Sequence, residues 1–212
     1  FFHLKVTGLN SFIKFASDTG AIASGDWDVT NGGTDITING DNIQLTGDNI
    51  KSGFYDVGEV ISTSAWTLRF TLESSGSVTG NPIFWIGFFD TSTINSSSES
   101  GSGTTLDGIS CMAYSGSNYL LSMKNNAYLD AGGSQTVTSP TVSANTTTRY
   151  VEIKRDGSNA ILTFYDADDY DTSIGTCTVT ISGSSFRYLC AVSYFEGSGR
   201  TYQLTDVTFE DG

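Results

Sequence analysis

Positive charge is scarce in this sequence: ten Lys and Arg face 23 Asp and Glu, for a formal net charge of −13. Proteins that bind nucleic acid need a basic patch to neutralise phosphates, and these ten cations are scattered along the chain. We therefore predict no nucleic-acid partner. The acidic balance is compatible with cations, neutral glycans or basic protein partners, but simple colloidal solubility is the favoured explanation.

Long apolar runs are also missing. None approaches the ~18 residues that a membrane-spanning helix needs, so we predict no membrane insertion in this chain. A sustained apolar repeat of 3.6 residues is rare along the sequence, which disfavours a helical fold. The chain opens with Phe1-Phe2-His3 and no Met, as expected of a processed product or a fragment.

Nucleophilic and zinc chemistry have few residues to draw on. There are only three cysteines, Cys111, Cys177 and Cys190, and one histidine, His3. No Cys-x-x-Cys or Cys/His spacing of a zinc site occurs, and a Cys–His or Ser-His-Asp arrangement would depend entirely on His3. We therefore expect neither a zinc site nor a nucleophilic active site of the Cys–His or Ser-His-Asp kind.

Cys177 and Cys190 bracket a segment that could form a hairpin turning at Gly183-Ser184. In that register the opposed residues are all apolar and share one face: Cys177/Cys190, Val179/Tyr188 and Ile181/Phe186. The hairpin would permit a disulfide between Cys177 and Cys190. Two buried thiols acting as small hydrophobic groups are the equal alternative.

Short runs of β-branched and aromatic residues recur instead, each followed by Gly, Ser, Asn or Asp, which is typical of a β-sandwich or barrel. The candidate strands are residues 34–39, 42–46, 54–58, 65–73, 82–89, 107–114, 118–123, 149–155, 159–165, 176–182, 187–194 and 201–210. Asp156-Gly157 predicts a tight hairpin. The strand at 82–89 is apolar on both faces, so its second face is either covered by loops or lines a cleft.

A family resemblance rests on the order of several core segments. They read Asp26-Trp-Asp-Val29, Ala65-Trp-Thr-Leu-Arg-Phe-Thr-Leu72, Phe84-Trp-Ile-Gly-Phe-Phe-Asp90, Tyr150-Val-Glu-Ile-Lys-Arg-Asp-Gly157 and Leu204-Thr-Asp-Val-Thr-Phe209. This order resembles the concanavalin A-like lectin/glucanase superfamily, especially laminin-G-like modules of archaeal surface proteins and of phage or virus structural proteins. The resemblance implies an all-β jelly-roll sandwich of two antiparallel sheets, one of them concave. We expect this domain at 25–212, after an N-terminal segment at 1–24.

The resemblance implies glycan binding, glycoside cleavage, or adhesion and assembly, at an extracellular, cell-surface or virion location. Hydrolases of this fold carry two carboxylates at alternate positions of one strand, in a Glu-x-Asp-x-Glu type motif. This sequence has no such motif, so we predict a protein that is not an enzyme.

Carbohydrate binding needs aromatic faces and amides. We predict that the ligand-binding residues are Asn118, Tyr119, Asn125 and Tyr128, with Trp85 on the floor of the cleft. A structural subunit that contacts neighbouring protein subunits and no glycan is the alternative. In that case the apolar opening Phe1–Val6 could pair with a sheet edge.

Calcium is frequent at the rim of such modules, and hard cations prefer clustered carboxylate oxygens on turns. Asp166, Asp168, Asp169 and Asp171 supply that density. They are the candidate Ca²⁺ ligands, with a solvated acidic turn as the alternative.

Overall fold

A computed structural model describes residues 20–40, 42–46, 51–76, 81–92, 94, 106–113, 118–127, 134–144, 148–181, 185–196 and 201–212. The strands are β1 Gly20–Ala21, β2 Ile36–Asn39, β3 Asn42–Leu45, β4 Lys51–Asp56, β5 Ala65–Ser75, β6 Asn81–Phe89, β7 Leu106–Ala113, β8 Tyr119–Ala127, β9 Ser134–Thr138, β10 Arg149–Asp156, β11 Asn159–Tyr165, β12 Ser173–Thr180, β13 Tyr188–Glu196 and β14 Thr201–Asp211. Two 3-10 helices, Ser24–Asp26 and Thr30–Gly32, complete the described elements. Within these ranges no helix has the length and apolar character of a membrane span.

The strands form two antiparallel sheets. The eight-stranded sheet has the order β12-β11-β10-β5-β14-β3-β2, with β1 beside β14, and the six-stranded sheet has the order β4-β13-β6-β7-β8-β9. This is the two-sheet antiparallel jelly-roll sandwich that the sequence predicts.

Strand β14 is shared by β3 and β1 because it bends. Its pairing with β5 shifts register between Thr205 and Thr208, and Asp206 within that shift has a φ of 52°. Residues before the bulge pair with β3, and those after it pair with β1. The opening residues Phe1–Val6 lie outside the described residues, so their pairing with a sheet edge stays a prediction.

The core between the sheets is built around aromatic pairs that join one sheet to the other. Their ring centroids lie 4.4 Å apart in Phe84–Tyr202, 4.7 Å in Tyr119–Phe164, 5.1 Å in Trp66–Phe88 and 4.9 Å in Phe88–Phe209. In each pair, one ring belongs to β6 or β8 of the six-stranded sheet, and the other ring belongs to a strand of the eight-stranded sheet. These rings are the main inter-sheet contacts of the sandwich.

All twelve predicted strands are found, with ends that move by at most a few residues. The hairpin at Asp156-Gly157 is confirmed: Asp156 pairs with Asn159, and Gly157 has the φ of 59° that such turns require. Two strands are not predicted, β1 with only two residues and β9, whose sequence Ser-Gln-Thr-Val-Thr has one apolar residue.

The predicted hairpin between Cys177 and Cys190 is wrong. Strand β12 pairs with β11 and places Cys177 opposite Leu162, whereas β13 lies in the other sheet between β4 and β6. The segment is an arch that crosses the sandwich. Cys177 and Val179 point into the core, whereas Cys190 and Tyr188 belong to the apolar cluster on the outer face of the other sheet. Both strands therefore carry apolar residues at alternate positions, which is the pattern that a hairpin would also give.

All three cysteines are buried and free, so no disulfide joins Cys177 to Cys190. Cys177 belongs to the core between the sheets, and Cys190 lies on the outer face of the six-stranded sheet. Burial raises the pKa of Cys177 to about 11 and that of Cys190 further. Buried neutral thiols are poor nucleophiles, so these residues act as small hydrophobic groups.

We expect Phe164→Ala to lower the free energy of unfolding by about 3–5 kcal/mol, because it leaves a cavity beneath Tyr119. Urea denaturation monitored by circular dichroism measures this change. Ile174→Ala, at a side chain that is 41 % exposed on β12, is the control and should change it by less than about 0.5 kcal/mol. Equal effects of the two substitutions would contradict the packing described.

The thiols provide a second check. We expect a maleimide reagent to leave the native protein unlabelled, because all three cysteines are buried. Under denaturing, non-reducing conditions, mass spectrometry should show three labels per chain. A single label would mean that two cysteines are bridged.

Candidate ligand-binding site

Trp85, the residue predicted to form the floor of a cleft, lies on the outer face of the six-stranded sheet. Directly opposed residues form three rows across it: Ser52–Val192–Trp85–Met112–Leu120, Phe54–Cys190–Gly87–Ser110–Ser122, and Asp56–Tyr188–Phe89–Gly108. The first two rows are apolar or small. The third row continues from Gly108 to Lys124, so charged residues stand at both of its ends, Asp56 at one and Lys124 at the other.

Trp85 does not form the floor of an open cleft. Only 1 % of its surface is exposed, because it packs in a second apolar cluster with Phe89, Met112 and Val192. Ile94 covers part of this cluster and is held there by Ser52, whose Oγ donates to the Ile94 carbonyl at 3.1 Å. We predicted that this face is either covered or lines a cleft, and at Trp85 it is covered.

Tyr119 is also buried, which corrects its assignment to a ligand-binding surface. Its ring belongs to the main core, where it stacks on Phe164 at 4.7 Å and meets the edge of Phe84 at 6.3 Å. The residues of β8 alternate between the two faces, so Tyr119 points inward and Leu120 points outward.

The predicted amides do not come together. Asn118 is half-buried beside the start of β8 and forms an isolated bridge with Ser143. Asn125 lies seven residues further along, opposite Ser134, a separation of roughly 23 Å along an extended strand. Tyr128 lies outside the described residues. The predicted residues that the structure describes thus do not line one small site, and the role of Tyr128 stays a prediction.

The acidic turn at 166–171 is not a metal site in this structure. No group of three His, Cys, Asp or Glu among the described residues is arranged to hold an ion, and all four aspartates belong to that part of the chain. One of these carboxylates is bonded within the turn, since Asp171 N–H donates to Asp169 Oδ1 at 3.0 Å. The structure thus gathers no three-ligand group at this turn, and calcium binding by the protein stays a prediction.

The same turn places Tyr170 over the outer face of the eight-stranded sheet. Tyr170 has a left-handed φ of 58°, and its ring lies 5.1 Å from Tyr165 and 5.0 Å from the Arg69 guanidinium. Arg69 pairs with Glu152 at 2.7 Å. Burial raises the pKa of Tyr170 to about 12, so its hydroxyl stays protonated.

A similar arrangement, which we call the rim cluster, lies at the end of the six-stranded sheet and consists of Phe54, Asp56, Arg187 and Tyr188. Arg187 donates to Asp56 through Nε at 2.7 Å and Nη2 at 2.8 Å. Its guanidinium lies 5.5 Å from the Tyr188 ring, which meets Phe54 edge-on at 5.8 Å. The hydrogen bonds from Arg187 lower the pKa of Asp56, so this carboxylate is ionised at neutral pH.

Among the described residues, the Arg187–Asp56 pair of the rim cluster is more accessible than the Arg69–Glu152 pair. The side chains of Arg187 and Asp56 are 42 % and 37 % exposed, whereas the Glu152 side chain in the other pair is only 12 % exposed. Arg187 has five N–H donors and uses two on Asp56, and the Asp56 carboxylate accepts those two and the N–H of Gly58. Three donors and one acceptor position thus remain on two partly exposed side chains, which suits the hydroxyl groups of a polyol.

Sequence reasoning did not find the rim cluster. Asp56 and Arg187 are 131 residues apart, and no local pattern links them. Only the pairing of β4 with β13 brings them together. The arginine does follow an apolar residue at a strand start, but such positions are common.

Asp90 and Asp107 lie close to the rim cluster, at the β6–β7 connection. Asp107 N–H donates to Asp90 Oδ1 at 3.1 Å, and Asp90 N–H donates to the Asp107 carbonyl at the same distance. Burial, with some repulsion from Asp107, raises the pKa of Asp90. These bonds tie the end of β6 to the start of β7.

Comparison with known proteins gives the fold. No family model matches the chain, and no curated protein matches it. Among solved structures, the legume lectin-like domain from Entamoeba histolytica is similar over 95 % of this chain and 99 % of that domain, at 14 % identity and a TM-score of 0.63. The exoplasmic/lumenal domain of VIP36, bound to Ca²⁺ and Man3GlcNAc, is similar over 90 % of this chain and 86 % of that one, at 12 % identity and 0.64.

A sialidase also aligns, at 12 % identity and a TM-score of 0.58, over 92 % of this chain but 18 % of that one. The chain thus corresponds to one part of the sialidase and to nearly the whole of the lectin-like domains. Together with the two-sheet topology, these likenesses establish that the chain has a concanavalin A-like lectin fold.

Proposed function

We propose that this chain is a carbohydrate-binding module without catalytic activity, at a cell surface or in a lumenal compartment. The rim cluster carries the proposal, because it combines an aromatic pair with exposed charged hydrogen-bonding groups at the end of the sheet. Such a combination is typical of sites that recognise polar rings. The lectin-like neighbours support it, one of them having been solved as an exoplasmic/lumenal domain with a bound glycan.

A glycoside hydrolase is less well supported. Catalysis would need two carboxylates on either side of the scissile bond, one of them free to donate a proton. The best-placed pair is Asp90 and Asp107, and Asp90 is already engaged by the Asp107 N–H. The sialidase likeness covers too little of that enzyme to assign its activity here.

The rim cluster is tested by a pair of matched variants. We expect Arg187→Ala to weaken binding to the best ligand of a glycan array roughly 10- to 100-fold, because charge-assisted hydrogen bonds are lost. Arg69→Ala is the control, since Arg69 forms the same kind of pair with Glu152 beneath Tyr170. Isothermal titration calorimetry of both variants gives the two affinities.

If Arg69→Ala alone abolished binding, the site would belong to the outer face of the eight-stranded sheet. If both variants bound as wild type, the ligand would be recognised elsewhere. Thermal melts of both proteins exclude general unfolding as the cause.

Calcium is tested separately, because one neighbour was solved with Ca²⁺ and another in a metal-free form. The 166–171 turn does not fit a metal site, so we expect Asp168→Asn/Asp171→Asn to leave the response of Tm to calcium unchanged. Melts of both proteins in calcium chloride and in chelator measure it. A calcium response that is present in the wild type and lost in the double variant would restore the turn as a metal site.

A further inference from the structure

A cationic side chain is buried between the sheets with no partner for one of its nitrogens. Arg155 is the last inward-facing residue of β10, after Val151 and Ile153, and is 7 % exposed. Its Nε donates to the Gly157 carbonyl at 3.1 Å. Within the described part of the chain, its Nη1 has no hydrogen-bond partner and is fully enclosed.

Among the described residues, no carboxylate forms an ion pair with Arg155. The two arginine–carboxylate ion pairs of the described residues involve Arg69 and Arg187. The nearest acid in the same cross-strand row is Asp211, beyond Trp66, and its two oxygens accept the Ser62 N–H at 2.9 and 3.2 Å. Burial lowers the pKa of Arg155, with no opposing contribution from an acid. Buried arginines are normally paired, so this one is an exception that needs a cause.

A second donor without a partner lies directly beside it. Trp66 of β5 is opposite Arg155, and its Nε1 is also enclosed and without a hydrogen-bond partner. Opposed residues on one face have Cβ atoms about 4.5–5.5 Å apart. Indole and guanidinium are donors only, so neither can satisfy the other. The two donors, Arg155 Nη1 and Trp66 Nε1, therefore lack a hydrogen-bond acceptor, and a negatively charged acceptor would suit them best.

The guanidinium lies next to an exposed turn at the end of the sandwich. Gly157 N–H donates to the Ser64 carbonyl at 2.7 Å, and Ser64 itself is exposed, with its hydroxyl 3.1 Å from that of Ser62. Gly157 and Ser158 are exposed as well. A small displacement of this turn therefore connects Arg155 with solvent.

We propose that Arg155 and Trp66 form a binding site for a small anion, a halide or a carboxylate group, which enters beside the Gly157–Ser158 turn. The protein as a whole carries a net charge of −13 and repels anions. Binding must therefore come from the local donors, and an anion effect on stability cannot be attributed to a generally basic surface.

The test follows Tm as chloride or acetate replaces gluconate, whose anion is too large for an enclosed site, at constant ionic strength. We expect the wild-type Tm to rise as the anion concentration increases, by on the order of 5 °C when that concentration is about a hundred times the Kd. Arg155→Met should abolish the rise. Lys154→Met is the matched control, because it removes the same charge from the exposed face of the same strand and should keep the rise.

A response to chloride alone identifies a halide site, and a response to acetate identifies a site for carboxylates. The proposal is overturned if Arg155→Met and Lys154→Met respond alike, or if the wild type responds to neither anion. Should Arg155→Met fail to fold, Trp66→Phe is the second variant, because it keeps an aromatic side chain and removes the N–H donor. We expect it to reduce the response, and a full response would count against the site.

Discussion

The sandwich depends on aromatic rings that meet between its two sheets. Phe84 and Phe88 alternate along β6, and each contacts rings of the opposite sheet, Phe84 at Tyr202 and Phe88 at Trp66 and Phe209. Because side chains of a strand alternate between its faces, this fixes which residues of β6 point outward. Trp85 and Phe89 are therefore placed on the outer face by the demands of the core, and a second apolar cluster forms there.

That second cluster determines where polar chemistry can occur on the six-stranded sheet. With the middle of its outer face occupied by apolar side chains, charged groups are left at the end of the strands, where Asp56 and Arg187 meet. The edge of an apolar cluster is a favourable place for such a pair. Tyr188 and Phe54 pack against the cluster on one side and hold the guanidinium over an aromatic face on the other.

The sequence predicted the strands well and the site poorly, for a physical reason. Strands such as β5 and β10 are read from alternation, which is local. Pairing is not local: the apolar residues of 177–190 suit a hairpin or an arch between sheets equally, and only the positions of β11 and β6 decide between them. Tyr119 and Trp85 failed as ligand residues because an aromatic residue on a strand does not reveal how its face is covered.

Three of the described arginines, Arg69, Arg155 and Arg187, show how strand geometry sorts one kind of side chain. Arg69 and Arg187 lie on outer faces, and each pairs with a carboxylate and covers a tyrosine ring. Arg155 follows two buried residues at alternate positions, so the pleat of β10 carries it inward, where no acid is available. Strand geometry thus forces a charge into the core, and the lack of a partner for Nη1 among the described residues is what makes an external acceptor physically favourable there.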